Sequence, residues 1–418
     1  MSAVPRIRDY DDPTFDAFHT FDLAQGFGDV DDPYPVIHEL HRTGTVHLGD
    51  LREKFGLQPF ALWAELPSAM VMGYKLVERV YGDGATFSNA IMQRIYNDSF
   101  GQSINGMDAP EHPRYRRLFQ KAFMPQTVSQ WGNELVPRVL CGIIDQFAHR
   151  GRAELVSEFT LKYPFHVIYA QLDLPVRELE VFHRLAAGLM CIMVDYPHAL
   201  QASRNMGDYF QLLLKERREQ LGADLISLLA HAEIDGERLP DEVAVSFLRQ
   251  LMNAAGDTTY RSTGSLLAGL LTNTEQLDAV CKDRTLIPRA VEEALRWDGP
   301  LTVLTRQATR DVTLDGVEIA AGTKIDVVAG SANRDPVRFA DPDRFDIFRP
   351  QTRNMAFAFG PHVCLGQHLA RLEMSRALNS LLDRLPNLRL DPDYPPPQVA
   401  GLNSRAPRAI HVLFDPVS

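Results

Sequence analysis

The sequence has little cysteine, and its cysteines are not clustered. Four occur among 418 residues, at positions 141, 191, 281 and 364, and no CxxC spacing links any two of them. Iron–sulfur centres require clustered cysteines, so this pattern excludes a cluster held by the chain itself. The spacing also gives no sign of a disulfide framework.

Long apolar runs are missing as well. No stretch reaches the roughly 18 to 20 apolar residues that a bilayer-spanning helix requires. Residues 1–20 are polar and are interrupted by Pro5 and Pro13, so they lack the apolar run of a signal peptide. We therefore expect a cytoplasmic protein with no membrane span.

An excess of positive charge, an interdomain linker and an internal repeat are also lacking. The formal net charge is -11, whereas binding to nucleic acid phosphates requires clustered Lys and Arg, so nucleic acid is not an expected partner. Without Gly/Ser tracts, long charge blocks or a repeat of solenoid size, the chain predicts one domain over residues 1–418.

The periodicity of the apolar residues is mainly helical. Apolar side chains recur at helical spacing between residues 125 and 271, and a long helix is predicted to begin at Asp241. Asp-Gly at 315–316, between β-prone runs, predicts a hairpin over residues 312–319. A last helix is expected from Cys364 to Leu385. The predicted fold class is therefore mainly α with small β-sheets.

The strongest local pattern surrounds Cys364, in the segment FAFGPHVCLG at 357–366. A glycine turn precedes a cysteine that opens the last predicted helix. Backbone N–H groups point outward at a helix start, which favours a thiolate, and a thiolate is a ligand for haem iron. Gly360 and Gly366 allow the backbone to pass close to the sulfur and to a porphyrin. A lone cysteine is otherwise most often a core residue, and the cysteine alone leaves that alternative open.

The segment matches FxxGxxxCxG at Phe357, Gly360, Cys364 and Gly366, and the chain thereby resembles the cytochrome P-450 family. Ala358 is a departure, since many members have glycine there. The resemblance implies the P-450 fold, with haem (heme b) between a long oxygen-groove helix and the cysteine-ligand helix. It also implies Cys364 as the axial iron ligand and O2 as co-substrate.

Glu293 and Arg296 lie three residues apart, on one face of a predicted helix. An isolated ExxR pair is usually a surface salt bridge. The resemblance implies instead that this pair is buried, is bound to Arg344 in the segment PDRF at 342–345, and fixes the cysteine loop. Buried charges of this kind are tolerated only when they are fully paired.

Small residues and two threonines occupy the long helix in the segment AAGDTT at 254–259. Small side chains allow a flat group to approach, and a Thr hydroxyl can bond to the carbonyl one turn back. The resemblance implies that Ala255 lies against the cofactor and that Asp257 and Thr258 form an acid–alcohol pair delivering protons. Close helix packing through small residues is the alternative.

Cations are expected beside the haem propionates. The resemblance implies contacts from His112, Arg116, Arg306 and His362. Taken singly, each of these residues is more often a solvated surface side chain.

Candidate substrate contacts are assigned by position in the resembling family. They are Ile91, Met92, Ile95, Tyr96, Leu251, Ala254, Leu301, Val303, Leu304, Val399 and Leu402, with Met190, Ile192 and Met193 where two lid helices should meet. Most are apolar, so we expect a hydrophobic small-molecule substrate. Arg94 and Tyr96 are candidate anchors for a carboxylate or hydroxyl, although an Arg94 that faces water is the simpler interpretation.

No dinucleotide motif is present, so the electrons must come from a separate donor. The resemblance implies a ferredoxin or flavodoxin with its reductase, and NAD(P)H as the indirect source. A candidate docking surface is formed by basic residues near the cysteine face, namely Arg114, Arg116, Arg117, Lys121, Arg353 and Arg371. An ordinary solvated helix face would contain the same residues.

Together the motifs predict a haem-thiolate monooxygenase that inserts one oxygen atom of O2 into a hydrophobic molecule. A peroxide-using peroxygenase, isomerase or dehydratase is one alternative, and such enzymes commonly alter the acid–alcohol pair that is intact here. A non-catalytic haem sensor or carrier would need the thiolate loop but neither the proton relay nor an apolar pocket. A helical protein without haem, with Cys364 in its core, is the third alternative.

Overall fold

The structure, a computed structural model, describes residues 6–416. The ends of the predicted domain, 1–5 and 417–418, lie outside the described residues. The α-helices are α1 (Ala17–Ala24), α2 (Tyr34–Thr43), α3 (Tyr74–Gly82), α4 (Gln93–Ser99), α5 (Glu111–Gln120), α6 (Pro125–Gln130), α7 (Val136–Ile144), α8 (Tyr163–Gln171), α9 (Leu179–Met190), α10 (Tyr196–Glu219), α11 (Leu225–Ala230), α12 (Asp241–Thr272), α13 (Thr274–Lys282), α14 (Ile287–Trp297), α15 (Ala329–Asn333) and α16 (Gln367–Arg384).

The strands are short and form small sheets. They are β1 (Val46–Leu48), β2 (Ser68–Val71), β3 (Phe87–Ser88), β4 (Arg152–Glu154), β5 (Glu233–Ile234), β6 (Glu237–Arg238), β7 (Leu304–Ala308), β8 (Val312–Leu314), β9 (Val317–Ile319), β10 (Lys324–Val327), β11 (Arg389–Leu390), β12 (Val399–Ala400), β13 (Ala406–Pro407) and β14 (His411–Leu413). The largest sheet has the order β1-β2-β10-β7-β3, with β2 and β10 parallel. The predicted fold class, mainly α with small sheets, is confirmed.

The hairpin expected from Asp-Gly is present between β8 and β9, with Val312 opposite Ile319. Asp315 and Gly316 both have positive φ, 46° and 82°. Two left-handed residues in sequence match the right-handed twist of the strands, which is why Asp-Gly is favoured in this turn.

Helix α12 passes through two separate hydrophobic cores. Leu248 and Met252, in its first half, pack in one core, and Leu267 and Leu270, in its second half, pack in the other. Between Val243 and Leu271 all of its residues are described, and Ala254 is the one exposed residue among them. Because both halves of the helix are buried in these cores, the exposed surface of Ala254 faces an internal space.

Helix α16 begins at Gln367, so the prediction that Cys364 opens this helix is wrong by three residues. Gly360–His362 form a single 3₁₀ turn, and Val363 is extended, with φ −54° and ψ 139°. The extended residue delays the helix start and places Cys364 just in front of it. In the part of the chain that the structure describes, no helix is long and apolar enough to cross a membrane.

Candidate active site

Backbone hydrogen bonds fold the cysteine loop back on itself. The N–H of Cys364 donates to the carbonyl of Phe357 at 2.9 Å, and the N–H of Ala358 donates to the carbonyl of Met355 at 3.0 Å. Gly360 has φ 73°, and a Cβ there would lie 2.6 Å from the Tyr81 carbonyl oxygen. The loop therefore requires glycine at 360, because α3 lies directly against it.

Gly366 is less constrained by its protein neighbours than Gly360 is. Its φ is an ordinary −86°, and an added Cβ would meet no described protein atom within 4 Å. The protein's own packing therefore does not explain a glycine here, whereas it explains Gly360 completely.

The backbone N–H groups of Gly366 and Gln367 act on the Cys364 sulfur and favour its charged form. Its side chain has accessible surface but is enclosed by protein, so this surface faces an internal space. Burial raises the pKa of the thiol, although the two N–H groups, Arg116 and Arg371 lower it. The two N–H groups therefore act in favour of the thiolate and burial acts against it, so the thiolate form of Cys364 stays a prediction.

Ala358 occupies the left-handed region, with φ 58°, and is buried. Alanine in this conformation brings its Cβ close to the following carbonyl, at a cost of about 1–2 kcal/mol. The departure from the family's glycine therefore leaves local strain in the cysteine loop of this chain.

Glu293 and Arg296 form a buried bidentate ion pair at the end of α14. Arg296 Nε donates to Glu293 Oε2 at 2.8 Å, and another Arg296 nitrogen donates to Oε1 at 2.7 Å. The same guanidinium also donates to the carbonyls of Asn333, Pro342 and Arg344. A single arginine thus fixes the start and the middle of the irregular segment between α15 and the cysteine loop.

The third member of this group is Arg349, and the prediction of Arg344 is wrong. Arg349 Nε lies 3.4 Å from Glu293 Oε1, and its remaining nitrogens donate to the carbonyls of Ala340, Asp341 and Arg344. The Arg344 side chain is exposed, and only its carbonyl joins the group. The chain turns after residue 344, so the arginine five residues later is the one that points inward.

Asn333 connects the ion pair to the loop, and sequence reasoning missed it. Its carbonyl accepts from Arg296, and its side-chain oxygen accepts from the N–H of Met355 at 2.6 Å. Met355 in turn accepts the hydrogen bond from Ala358. The signal available in the sequence was weak, a single Asn after a run of small residues.

Four basic side chains surround the cysteine loop, as expected. His112 and Arg116 are one turn apart on α5, Arg306 lies on β7, and His362 belongs to the 3₁₀ turn. Arg116 donates to the carbonyl of Val363 at 2.7 Å, and the His112 and His362 rings are 3.9 Å apart. Within residues 6–416 none of the four forms an ion pair with a carboxylate.

Burial shifts the pKa values of these groups, and Asp108 only partly offsets it at His112 and Arg306. Burial lowers the pKa of His362 to about 3, with a further contribution from His112, Arg306 and Arg116. It also lowers the pKa of His112, whose Nε2 has no hydrogen-bond partner among the described residues. Arg306 is buried, and within residues 6–416 the one hydrogen bond that its guanidinium makes is to the carbonyl of Thr305. One sulfur and these unpaired basic groups fit a haem, which has an iron and two carboxylate arms.

Thr258 and Asp257 are neighbours on α12, where we expected a groove, but their side chains do not bond to each other. The Thr258 hydroxyl donates to the carbonyl of Ala254 at 2.9 Å. Both carboxylate oxygens of Asp257 accept from Nε of Arg261 at 3.0 Å, and Arg261 also donates to Asp22 on α1 at 2.8 Å. Burial raises the pKa of Asp257, and Arg261 acts against that shift.

Sequence reasoning missed Arg261 and Asp22. The first could have been found, because an Asp and an Arg four residues apart share a helix face. Asp22 could not have been found, because it is far from Arg261 in the sequence. Only the path of the N-terminal segment brings it to α12.

A cavity of about 210 Å³ lies beside β7 and β10. It is lined by Met92, Ile95, Tyr96, Leu301, Val303, Leu304 and Leu402 among the predicted contacts, and by Met190, Ile192 and Met193. The predicted contacts Ile91, Leu251, Ala254 and Val399 do not line it. Arg94 is exposed and outside the cavity, as its simpler interpretation predicted.

Two further predicted cofactor contacts lie on α12 and in the cysteine loop. Ala255 is half-buried beside Ala254 on α12. Phe357 contributes its carbonyl to the loop, and its ring packs 4.4 Å from the Arg371 guanidinium.

Comparison with known proteins identifies the family. Residues 193–401 match the family model described as Cytochrome P450. A putative cytochrome P450 133B2 of Xylella fastidiosa is 31% identical over 381 residues, which cover 86% of this chain and 91% of the relative. The chain belongs to the cytochrome P450 family.

Other cytochromes P450 agree in sequence and in fold. The cytochrome P450 monooxygenase PikC of Streptomyces venezuelae is 32% identical over 400 residues, covering 91% of this chain and 92% of PikC. CYP109E1 of Bacillus megaterium, solved in complex with testosterone, has a TM-score of 0.80 at 26% identity, covering 92% of this chain and 99% of that one. As a cytochrome P450, this protein is an oxidoreductase of the monooxygenase class that binds haem iron and uses O2.

Replacing Arg349 with Ala should lower the free energy of unfolding by about 3 kcal/mol, because it removes one partner from a buried charge group. Arg344→Ala is the matched control and should change it by less than about 0.5 kcal/mol, as for other surface substitutions. Urea unfolding and the haem content of the purified proteins measure both effects. Equal destabilisation by the two variants would contradict the assignment of Arg349.

Replacing Ala358 with Gly should stabilise the protein by about 1 kcal/mol. It relieves the left-handed alanine, and the greater freedom of glycine in the unfolded chain offsets only part of this gain. Ala356→Gly, at a position without positive φ, should instead destabilise by roughly 0.5–1 kcal/mol. Thermal unfolding of the two variants tests the difference in sign.

Proposed function

We propose that this cytochrome P450 hydroxylates a hydrophobic small molecule, with electrons from a separate ferredoxin or flavodoxin and its reductase. NAD(P)H is the indirect electron source. The observation that carries the proposal is the cavity beside β7, whose walls include ten of the apolar or aromatic side chains predicted as substrate contacts. The proposal includes a single domain over residues 1–418 and a cytoplasmic location.

The residues of the cysteine loop would hold the cofactor, for which we propose heme b. The Cys364 sulfur would bind the iron, and His112, Arg116, Arg306 and His362 would face the two propionates. Arg306 favours this arrangement most, because a buried guanidinium without a carboxylate partner is costly unless an anion reaches it. Bound haem supplies the activation of O2 and the transfer of one oxygen atom to the substrate.

Thr258 and Asp257 would deliver protons from the α12 groove. The Thr258 hydroxyl can exchange its bond to the Ala254 carbonyl for a partner in the groove by rotation about χ1. Asp257 is held by Arg261, so it must release that guanidinium before it can pass a proton to Thr258. Arg261 and Asp22 therefore position the acid and do not themselves touch the reacting atoms.

The apolar lining favours substrates with a large hydrocarbon body. Methionines at 92, 190 and 193 supply adaptable packing, which suits a cavity that must accept a bulky ligand. The testosterone complex of the relative CYP109E1 is consistent with an apolar polycyclic body of this kind.

The docking surface that we propose for the electron donor contains fewer basic residues than the six predicted from the sequence. Arg114 pairs with Asp235, Arg371 pairs with Glu292, and Arg116 points inward to Val363. Arg117, Lys121 and Arg353 are exposed and form no ion pair within the described range 6–416. We propose that these three residues attract an acidic donor.

Replacing Thr258 with Ala should leave haem binding unchanged and lower the product formed per NAD(P)H consumed by about tenfold or more. A positioned proton donor contributes roughly 10²–10⁴-fold, and electrons that are not used for hydroxylation should appear as hydrogen peroxide. Thr259→Ala, on the buried side of α12, is the control. Unchanged product yield in Thr258→Ala would show that the relay is assigned to the wrong residue.

Replacing both Arg117 and Lys121 with Gln should slow reduction by an acidic ferredoxin roughly tenfold at low ionic strength, because electrostatic steering is lost. The control is Arg114→Gln combined with Asp235→Asn. This pair of changes removes one positive and one negative charge that neutralise each other, so the net charge is unchanged. Stopped-flow reduction at several salt concentrations measures both. Equal rates in the two double variants would place the docking surface elsewhere.

A further inference from the structure

One wall of the substrate cavity is charged, although the sequence predicted an apolar lining. Lys324 and Asp326 on β10, and Asp50 after β1, line the cavity and are all buried. Lys324 Nζ lies 2.9 Å from Asp50 and 2.7 Å from Asp326. Binding of purely apolar molecules does not require three buried charges. Each of these charges is costly to remove from water, so their presence calls for an explanation.

The sheet fixes the position of this charged group. Lys324 and Asp326 are two residues apart on one strand, so their side chains lie on the same face. Strand β10 is paired on both sides, with β2 and β7, and is therefore held rigidly. Asp326 also accepts the N–H of Leu51 at 3.1 Å, which brings the Asp50 turn against the strand.

The charges of the group balance only when Arg52, which acts on Asp50 and Asp326 from the same wall, is counted together with Lys324. A single ammonium serves two carboxylates, and burial raises the pKa of Asp326 although Lys324 opposes that shift. The other cation on this wall, Arg52, donates to the carbonyls of Gln58 and Ala24 and stacks 4.0 Å from Phe60. The carboxylates thus retain capacity to accept a hydrogen bond from a ligand.

Trp63 supplies a donor at the same wall. It is buried with 8% of its surface exposed, and its indole N–H has no hydrogen-bond partner among the described residues. Its ring lies 5.7 Å from Lys324 Nζ, and it lines the same cavity. An unpaired donor in the lining that also contains the two carboxylates suits a ligand group that both donates and accepts.

We propose that Asp50, Asp326 and Trp63 bind a hydroxyl group on an otherwise apolar substrate. The hydroxyl donates to a carboxylate and accepts from the indole N–H, while the hydrocarbon body fills the methionine and leucine wall. A substrate carboxylate can only accept, and it meets two carboxylates already sharing one ammonium, so it is disfavoured. This inference rests on the proposed function, since it concerns the same cavity.

The test compares three ligands with the same decyl chain on the haem-loaded protein. They are 1-decanol, which donates and accepts, 1-methoxydecane, which only accepts, and decanoate, which is a charged acceptor. Calorimetry and the shift of the haem Soret band report binding without turnover. We expect 1-decanol to bind at least about tenfold tighter than the other two, the effect of one hydrogen bond to a charged group.

Two conservative variants then locate the hydroxyl site. Asp326→Asn and Trp63→Phe should each reduce the advantage of 1-decanol over decanoate several-fold. Met193→Ala, in the apolar wall, should weaken all three ligands alike and leave their ranking unchanged. The comparison in the unmodified protein is decisive even if a variant fails to fold.

Equal affinity for the three ligands would overturn the hydroxyl site while leaving the apolar cavity and its proposed function intact. If none of the three ligands bound, the proposal that this cavity binds apolar substrates would be refuted, and the hydroxyl site with it.

Discussion

The buried ion pair of Glu293 and Arg296 is the interaction on which the active site depends. Five donors of one guanidinium reach the Glu293 carboxylate and three carbonyls of the segment that precedes the cysteine loop. That segment has no regular structure of its own, so its path is set by these bonds and by Arg349. Through Asn333 and Met355, the same bonds fix where Cys364 lies relative to α12.

Around this fixed loop the protein leaves basic groups without partners. Several buried charges elsewhere are paired, as Arg405 is with Asp298 and Arg261 is with Asp257. Arg306, His112 on α5 and His362 in the cysteine loop are the contrast, and they surround the proposed haem site.

The local motifs made the fold and the haem site predictable, because each depends on residues close in sequence. The cysteine loop, the ExxR pair and the Asp-Gly hairpin are of this kind. Arg344 and Arg349 were indistinguishable in sequence, since only the path of an irregular loop decides which one points inward. Lys324 and Asp326 alternate with apolar residues as on a solvated strand, and only the position of β10 inside the sheet shows that they line a cavity.

The central claim is that Cys364 binds haem iron as a thiolate, and the spectrum of the reduced protein under carbon monoxide tests it most directly. Burial raises the pKa of the free thiol, so the thiolate must be maintained by the iron together with the N–H groups of Gly366 and Gln367. The account predicts the strongly red-shifted Soret band of a thiolate-ligated complex, and its loss in Cys364→Ala. A globin-like band in the unmodified protein would contradict it.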